Sequence, residues 1–208
     1  MTITKNKQGF TLVEMMVVIG IFLIVTGVIL INVPNFREKT SVDLVAQDIA
    51  VTIRSSQVFG VGTRALNGNL VAYGVSLSTD PDKKGRFVLF ADLPTIDYKY
   101  TPGSETTCGQ STTECQSEYS LNGFTISDIY IYKADGIIEP QSQVDISFER
   151  PKSNPRFCVD EGENCPDNSI SKVEIVVESL KEKKRKVVAV YANGQIAVED
   201  FVDSSTTQ

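Results

Sequence analysis

The sequence contains no histidine and no tryptophan among its 208 residues. Without imidazole no Ser/His/Asp or Cys/His catalytic arrangement can form, and no GxSxG, P-loop or dinucleotide fingerprint appears in its place. Positive charge is also in short supply, with 20 Lys and Arg against 26 Asp and Glu. Such a surface repels phosphate backbones unless basic residues cluster tightly. The one cluster, Lys181 to Lys186 (KEKKRK), reads as a solvated hairpin tip whose charges keep a sheet edge from pairing. Neither an enzyme, nor a cofactor, nor a nucleic-acid partner is expected.

Cysteine is scarce as well. The four form two equally spaced pairs, Cys108 with Cys115 (CGQSTTEC) and Cys158 with Cys165 (CVDEGENC). Zinc pairs are usually much tighter, and these loops bring no histidine, so a metal reading is weak. Of the three possible pairings, two local disulfides fit short loops rich in Gly, Ser, Thr, Asn and acidic residues. That places the loops in an oxidising compartment outside the cytoplasm. Asp160, Glu161, Glu163 and Asp167 offer hard oxygen ligands for Ca²⁺, but without the spacing of an EF-hand; a solvated acidic loop is the plainer reading.

What the chain does have is one long apolar run near its start. From Phe10 to Ile31 the only charge is Glu14. At about 1.5 Å per residue, a helix over this run covers roughly the 30 Å of a bilayer's hydrocarbon. The basic flank MTITKNKQG stays cytoplasmic by the positive-inside rule and sends the rest of the chain across. No small-residue cleavage site follows Ile31; the small residue, Gly9, sits in front instead. A plain signal anchor is the simplest account of this pattern. It leaves Glu14 unexplained, because a carboxylate near the centre of a bilayer costs about 2.5–3.5 kcal/mol on insertion scales and normally faces a partner. Gly20 and Gly27, seven apart, lie near one face and permit close helix packing, although glycine is common in membrane helices anyway.

The string KQGFTLVEMMVVIGIF resembles the leader and N-terminal helix of the type IV pilin superfamily, including type II secretion pseudopilins. The resemblance rests on a basic leader ending in Gly9, the following Phe10, Glu14 five residues into the mature chain, and a long apolar helix. It implies cleavage between Gly9 and Phe10 by a prepilin peptidase and N-methylation of Phe10. It also implies a partner for Glu14, namely the new amine of Phe10 on a neighbouring subunit, so that the unpaired acid is relieved on assembly. The further partners implied are other pilin or pseudopilin subunits, an inner-membrane assembly platform, and membrane lipid before assembly.

Beyond the membrane segment Pro34 is expected to bend or locally melt a helix. After it Val42, Val45, Ala46, Ile49, Ala50 and Ile53 form an apolar stripe that ends near Gly60 and Gly62. Then the period changes to two. Strands are expected at Val71–Leu77 and Phe87–Ala91 about the loop STDPDKKG, and at Phe124–Tyr132, Val144–Glu149 and Lys172–Ser179. A further one runs over Lys186–Val198 with a turn at Asn193-Gly194. The alternation predicts an antiparallel sheet with one face on the helix and the other open or covered by a second small sheet. The stretches AQDIAVTIRSSQ, RFVLFAD, VDISFERP and YANGQI more loosely resemble the minor H-type pseudopilin group, from whose pattern the two cysteine loops depart.

The expected fold is therefore α+β, a long N-terminal helix packed on an antiparallel β-sheet head. The expected segments are a leader over 1–9, a membrane or filament-core helix over 10–33, an amphipathic helix over 34–62 and an extracytoplasmic head over 63–208. The expected role is a structural subunit of a type IV pilus-like or type II secretion filament, anchored in the cytoplasmic membrane before assembly. The competing reading is a signal-anchored extracellular binding domain that never polymerises.

Overall fold

The computed structural model of the chain describes residues 10–202 apart from 63, 67, 94–96, 103–107, 111–112 and 160–164, and of residues 30–40 it describes only the backbone. A helix, α1 (Leu12–Val61), is followed by β1 (Ala65–Leu66), β2 (Asn69–Leu70), β3 (Ala72–Ser78), β4 (Arg86–Asp92), β5 (Cys115–Ser120) and β6 (Phe124–Lys133). Then come β7 (Ile138–Gln141), β8 (Gln143–Phe148), β9 (Arg156–Val159), β10 (Ile170–Ser179), β11 (Arg185–Tyr191) and β12 (Ile196–Asp200). The fold is α+β, as the two periodicities predict. The chain divides into two compact units, one ending at Thr40 and one beginning at Ser41, so the division falls within α1. Helical backbone continues through Pro34, so the one N–H that proline removes does not melt the helix.

In the second unit the helix buries the stripe that its sequence spells. Val42, Ala46, Ile49, Ala50 and Ile53 are buried, while Val45 is partly covered. The helix continues through Gly60, where the absent side chain matters for packing and not for termination. A Cβ there would lie 2.1 Å from the Phe148 carbonyl oxygen, so the last turn lies against the backbone of β8. Gly62 then closes the end, its N–H donating to the Val58 carbonyl at 2.9 Å.

Two five-stranded sheets, antiparallel throughout, share this core. The first runs β5-β4-β3-β8-β9 and the second β12-β11-β10-β6-β7. The second is as large as the first, not the small cover that alternation suggests. Val75, Leu77, Phe87, Leu89, Ile146 and Phe148 of the first meet Ile129, Ile131, Val173, Ile175, Val188 and Val190 of the second, with Ile49 and Ile53 of the helix in the same cluster. Every expected strand is present. The expected run Lys186–Val198 is β11 and β12, hinged at Gly194 in the left-handed region (φ 88°). Strands β1 and β2, which pair only with each other, and strands β5, β7 and β9 lie outside the expected set. Each of the last three lies at or next to an edge or a cysteine loop and is short or polar.

The sheets are joined at tight corners. β7 passes to β8 through Ser142 alone, and β5 to β6 through 121–123, with Asn122 (φ 38°) and Gly123 (φ 96°) both left-handed. The Ser142 carbonyl accepts from Thr79 N–H at 2.8 Å and from the hydroxyls of Ser78 and Thr79. The helix is fastened to the turns around it. Arg54 donates to the Ile196 carbonyl at 3.0 Å, and Gln57 donates to the carbonyls of Ser153 and Gly194.

The basic run is not an edge guard. It joins β10 and β11 in the interior of the second sheet, and most of its charge is spent within the fold. Glu178, almost fully buried, takes Lys183 at 2.8 Å and Arg185 at 2.7 Å, and Lys184 pairs with Glu182. Lys186 stands 2.7 Å from Asp200 and 2.9 Å from Asp43 on the helix; the second contact is one of charge, without hydrogen-bond alignment.

Candidate functional site

The helix begins where the sequence TLVE supplies its own start. The Thr11 side-chain oxygen accepts the Glu14 N–H at 3.2 Å, while the Glu14 carboxylate, through Oε2, accepts both the Thr11 N–H and the Thr11 hydroxyl at 3.1 Å. This reciprocal pair is a capping box, Thr at N-cap and Glu three residues on, and it satisfies donors that a helix start otherwise leaves open. The negative charge also sits in the first turn, where the helix dipole favours it. Glu14 therefore stands at the end of the apolar helix and not at its middle, which lowers the cost expected for a carboxylate at the bilayer centre. Sequence reasoning passed over Thr11, although the spacing T-x-x-E was the available signal.

Downstream the segment has no apolar partner of its own. Leu12–Ile29 is long and apolar enough to cross a membrane, and every large apolar side chain in it is more than half exposed. A helix apolar on all sides and left uncovered needs lipid or other helices around it. Nothing stands within 4 Å of where a Cβ would sit on Gly20 or Gly27, so both remain available for close approach by another helix. Phe10, 83% exposed, precedes the cap, and Gly9 lies outside the described residues.

Both cysteine pairs form disulfides, with Cα atoms 4.7 Å apart for Cys108–Cys115 and 5.1 Å for Cys158–Cys165. The first clamps the entry to β5 and the second closes the loop after β9. Of the acidic loop, Asp160, Glu161 and Glu163 lie outside the described residues, and the Asp167 carboxylate is engaged by the N–H and hydroxyl of Ser169 at 2.8 and 2.7 Å. Among the described residues no three potential ligand side chains converge to hold a metal ion.

Comparison with known proteins agrees with the N-terminal geometry. Residues 4–30 match the prokaryotic N-terminal methylation motif, a prepilin-type signature. The match spans most of the expected leader, the Thr11–Glu14 cap and nearly all of the apolar run. No curated protein and no solved structure matches the chain.

Proposed function

We propose that the chain is a structural subunit of a type IV pilus-like or type II secretion filament, most akin to the minor, H-type members. In this reading a prepilin peptidase removes residues 1–9 by cutting between Gly9 and Phe10, and the new amine of Phe10 is methylated. Residues 10–33 hold the subunit in the cytoplasmic membrane with its lipid, residues 34–62 carry the head-bearing helix, and residues 63–208 form the head outside the cytoplasm. An assembly platform then adds it to other subunits, with Glu14 of one helix meeting the Phe10 amine of its neighbour. The observation that carries this reading is the methylation motif at residues 4–30 lying over a helix whose apolar surface is exposed on every side.

The capping box favours a second reading, in which Glu14 only starts the helix of a signal-anchored binding domain. Mass spectrometry of the mature N-terminus separates the two: N-methyl-phenylalanine at Phe10 supports the filament subunit, and an intact leader overturns it. Glu14→Gln then isolates the contact, because glutamine keeps the reciprocal bond of the cap but not the charge. A filament assay should show loss of incorporation with both Glu14→Gln and Glu14→Ala, with processing intact. Incorporation of Glu14→Gln at wild-type level refutes the charge contact.

A further inference from the structure

The face of the first sheet turned away from the helix carries a different device. Strand alternation points Gly74, Phe90, Asp92, Asp145 and Ser147 to that face, opposite the core residues Val75, Leu89 and Ile146. The described segment Asp97–Pro102, between β4 and β5, lies over it. The Phe90 ring fills the space above Gly74, where a Cβ would come within 2.6 Å of its Cζ, and Tyr100 packs on Phe90 with centroids 5.7 Å apart.

Carboxylates under or beside the segment hold it down by its backbone. Tyr98 N–H donates to Asp92 at 2.7 Å, Tyr100 N–H to Asp145 at 3.0 Å, and Thr101 N–H to Glu114 at 2.7 Å. Tyr98 is in the left-handed region (φ 62°), uncommon for a residue with a side chain, and its hydroxyl is tied to Glu149 at 2.7 Å. Asp92 is fully buried, makes no ion pair with any described lysine or arginine, and keeps Oδ1 without a hydrogen-bond partner. An ionised carboxylate in that position is costly.

We propose that Asp97–Pro102 is a proton-operated latch, held on the sheet while Asp92 is protonated and released more readily once Asp92 ionises. The groups around Asp92 point the same way. Asp97 on the strap and Glu114 before β5 repel its charge, Ala72 opposite it on β3 is neutral, and the guanidinium of Arg156 on β9 lies over the Tyr98 ring, 5.5 Å from its centroid. Asp145 and Glu149 on the β8 side add negative charge beneath Tyr100 and Tyr98. Burial, the largest cause, pushes the Asp92 carboxyl up to about 7; the Tyr98 N–H and, more weakly, the Asp97 N–H oppose it, and the charges of Asp97 and Glu114 reinforce it. Burial likewise raises Glu114, against the Thr101 N–H.

The sign follows directly. The closed strap binds the Asp92 proton more tightly than the open one, where the carboxyl returns to its ordinary range near 3.8. The advantage to closure is full below about 3.8 and is lost as pH rises from there through about 7. From pH 5 to pH 8 the opening constant should rise by roughly ten- to a hundredfold. A cation site is the other use of clustered acids, but among the described residues no three such side chains converge to hold one, and a strap N–H already occupies one oxygen of each of Asp92, Asp145 and Glu114. The latch does not depend on filament assembly.

Hydrogen exchange of the Tyr98, Tyr100 and Thr101 amides, in the full chain in detergent and corrected for intrinsic rates, reads the opening constant. The proposal expects the ten- to hundredfold rise between pH 5 and 8 at these amides, with no such rise at Val75 or Ile146. Asp92→Asn, which keeps an acceptor for Tyr98 but does not titrate, should flatten it, and Glu114→Gln should leave most of it. A flat wild-type profile, an unchanged slope in Asp92→Asn, or the same slope in the core overturns the latch. So does a calcium-induced gain of protection at pH 8. A carbon-detected NMR titration of Asp92 in the wild-type chain stands independently of the variants: a midpoint near 7 supports the latch, and one below 5 refutes it.

Discussion

Gly60 on the helix and Phe148 on β8 meet backbone to backbone, with room for a hydrogen and no more. Gly60→Ala therefore forces the last helical turn off the first sheet. The substitution should cost about 2 kcal/mol of head stability, an overpacking cost near the top of the usual range less the ~1 kcal/mol that alanine gains over glycine in a helix. Denaturant unfolding of the chain in detergent measures it; a wild-type midpoint would show that the helix end is not seated on β8.

Thr11→Ala removes the N-cap acceptor and leaves Glu14 without its reciprocal partner. The first turn should lose about 1 kcal/mol, and Thr11→Ser should restore it. Exchange of the Glu14 amide reports this directly, with a rise of roughly fivefold expected in the alanine variant alone.

Glu178 offers a pH-dependent prediction. Lys183, aided by Arg185, holds its carboxyl below the usual range despite burial. A depressed folded pKa contributes stability above the unfolded value, near 4.3, and loses it as pH falls through the folded one. Glu178→Gln should accordingly lower the urea midpoint at pH 7, and the gap from wild type should narrow by pH 3. A gap that stays constant with pH would assign the effect to packing.

Each disulfide closes a loop with a sequence separation of 7. In the chain-entropy account a loop of this size contributes about 2–3 kcal/mol. Cys158→Ser with Cys165→Ser should lower the thermal midpoint, as should the pair at Cys108 and Cys115, and reduction of the wild-type chain should reproduce the sum. An unchanged midpoint on reduction would mean that the loops are held by their other bonds.

Periodicity carried most of the architecture. The stripe Val42 to Ile53 and the alternating strands β3, β4, β6, β8 and β10 to β12 could be read directly, because each buries one side chain type against one partner. CQSEYS and IEPQ could not, since edge strands are short and polar, and Pro140 argues against a strand except at an edge. The fully buried AYGVSLS of β3 does not alternate in burial, because the strap covers its far face, and a cover of irregular chain leaves no periodic trace. Glu14 was conspicuous as a charge in an apolar run, whereas Thr11 was not; its role appears only once the helix start is located. Asp92 lies one residue past the expected strand Phe87–Ala91, and nothing local announces that it is shut from water.

The single residue between β7 and β8 has a mechanical meaning. With Ser142 as the only spacer, those two strands act as one bent rod built into both sheets, while Arg54, Gln57 and Gly60 rivet the helix to both as well. A pull along the helical end of this unit is thus shared by two sheets at once.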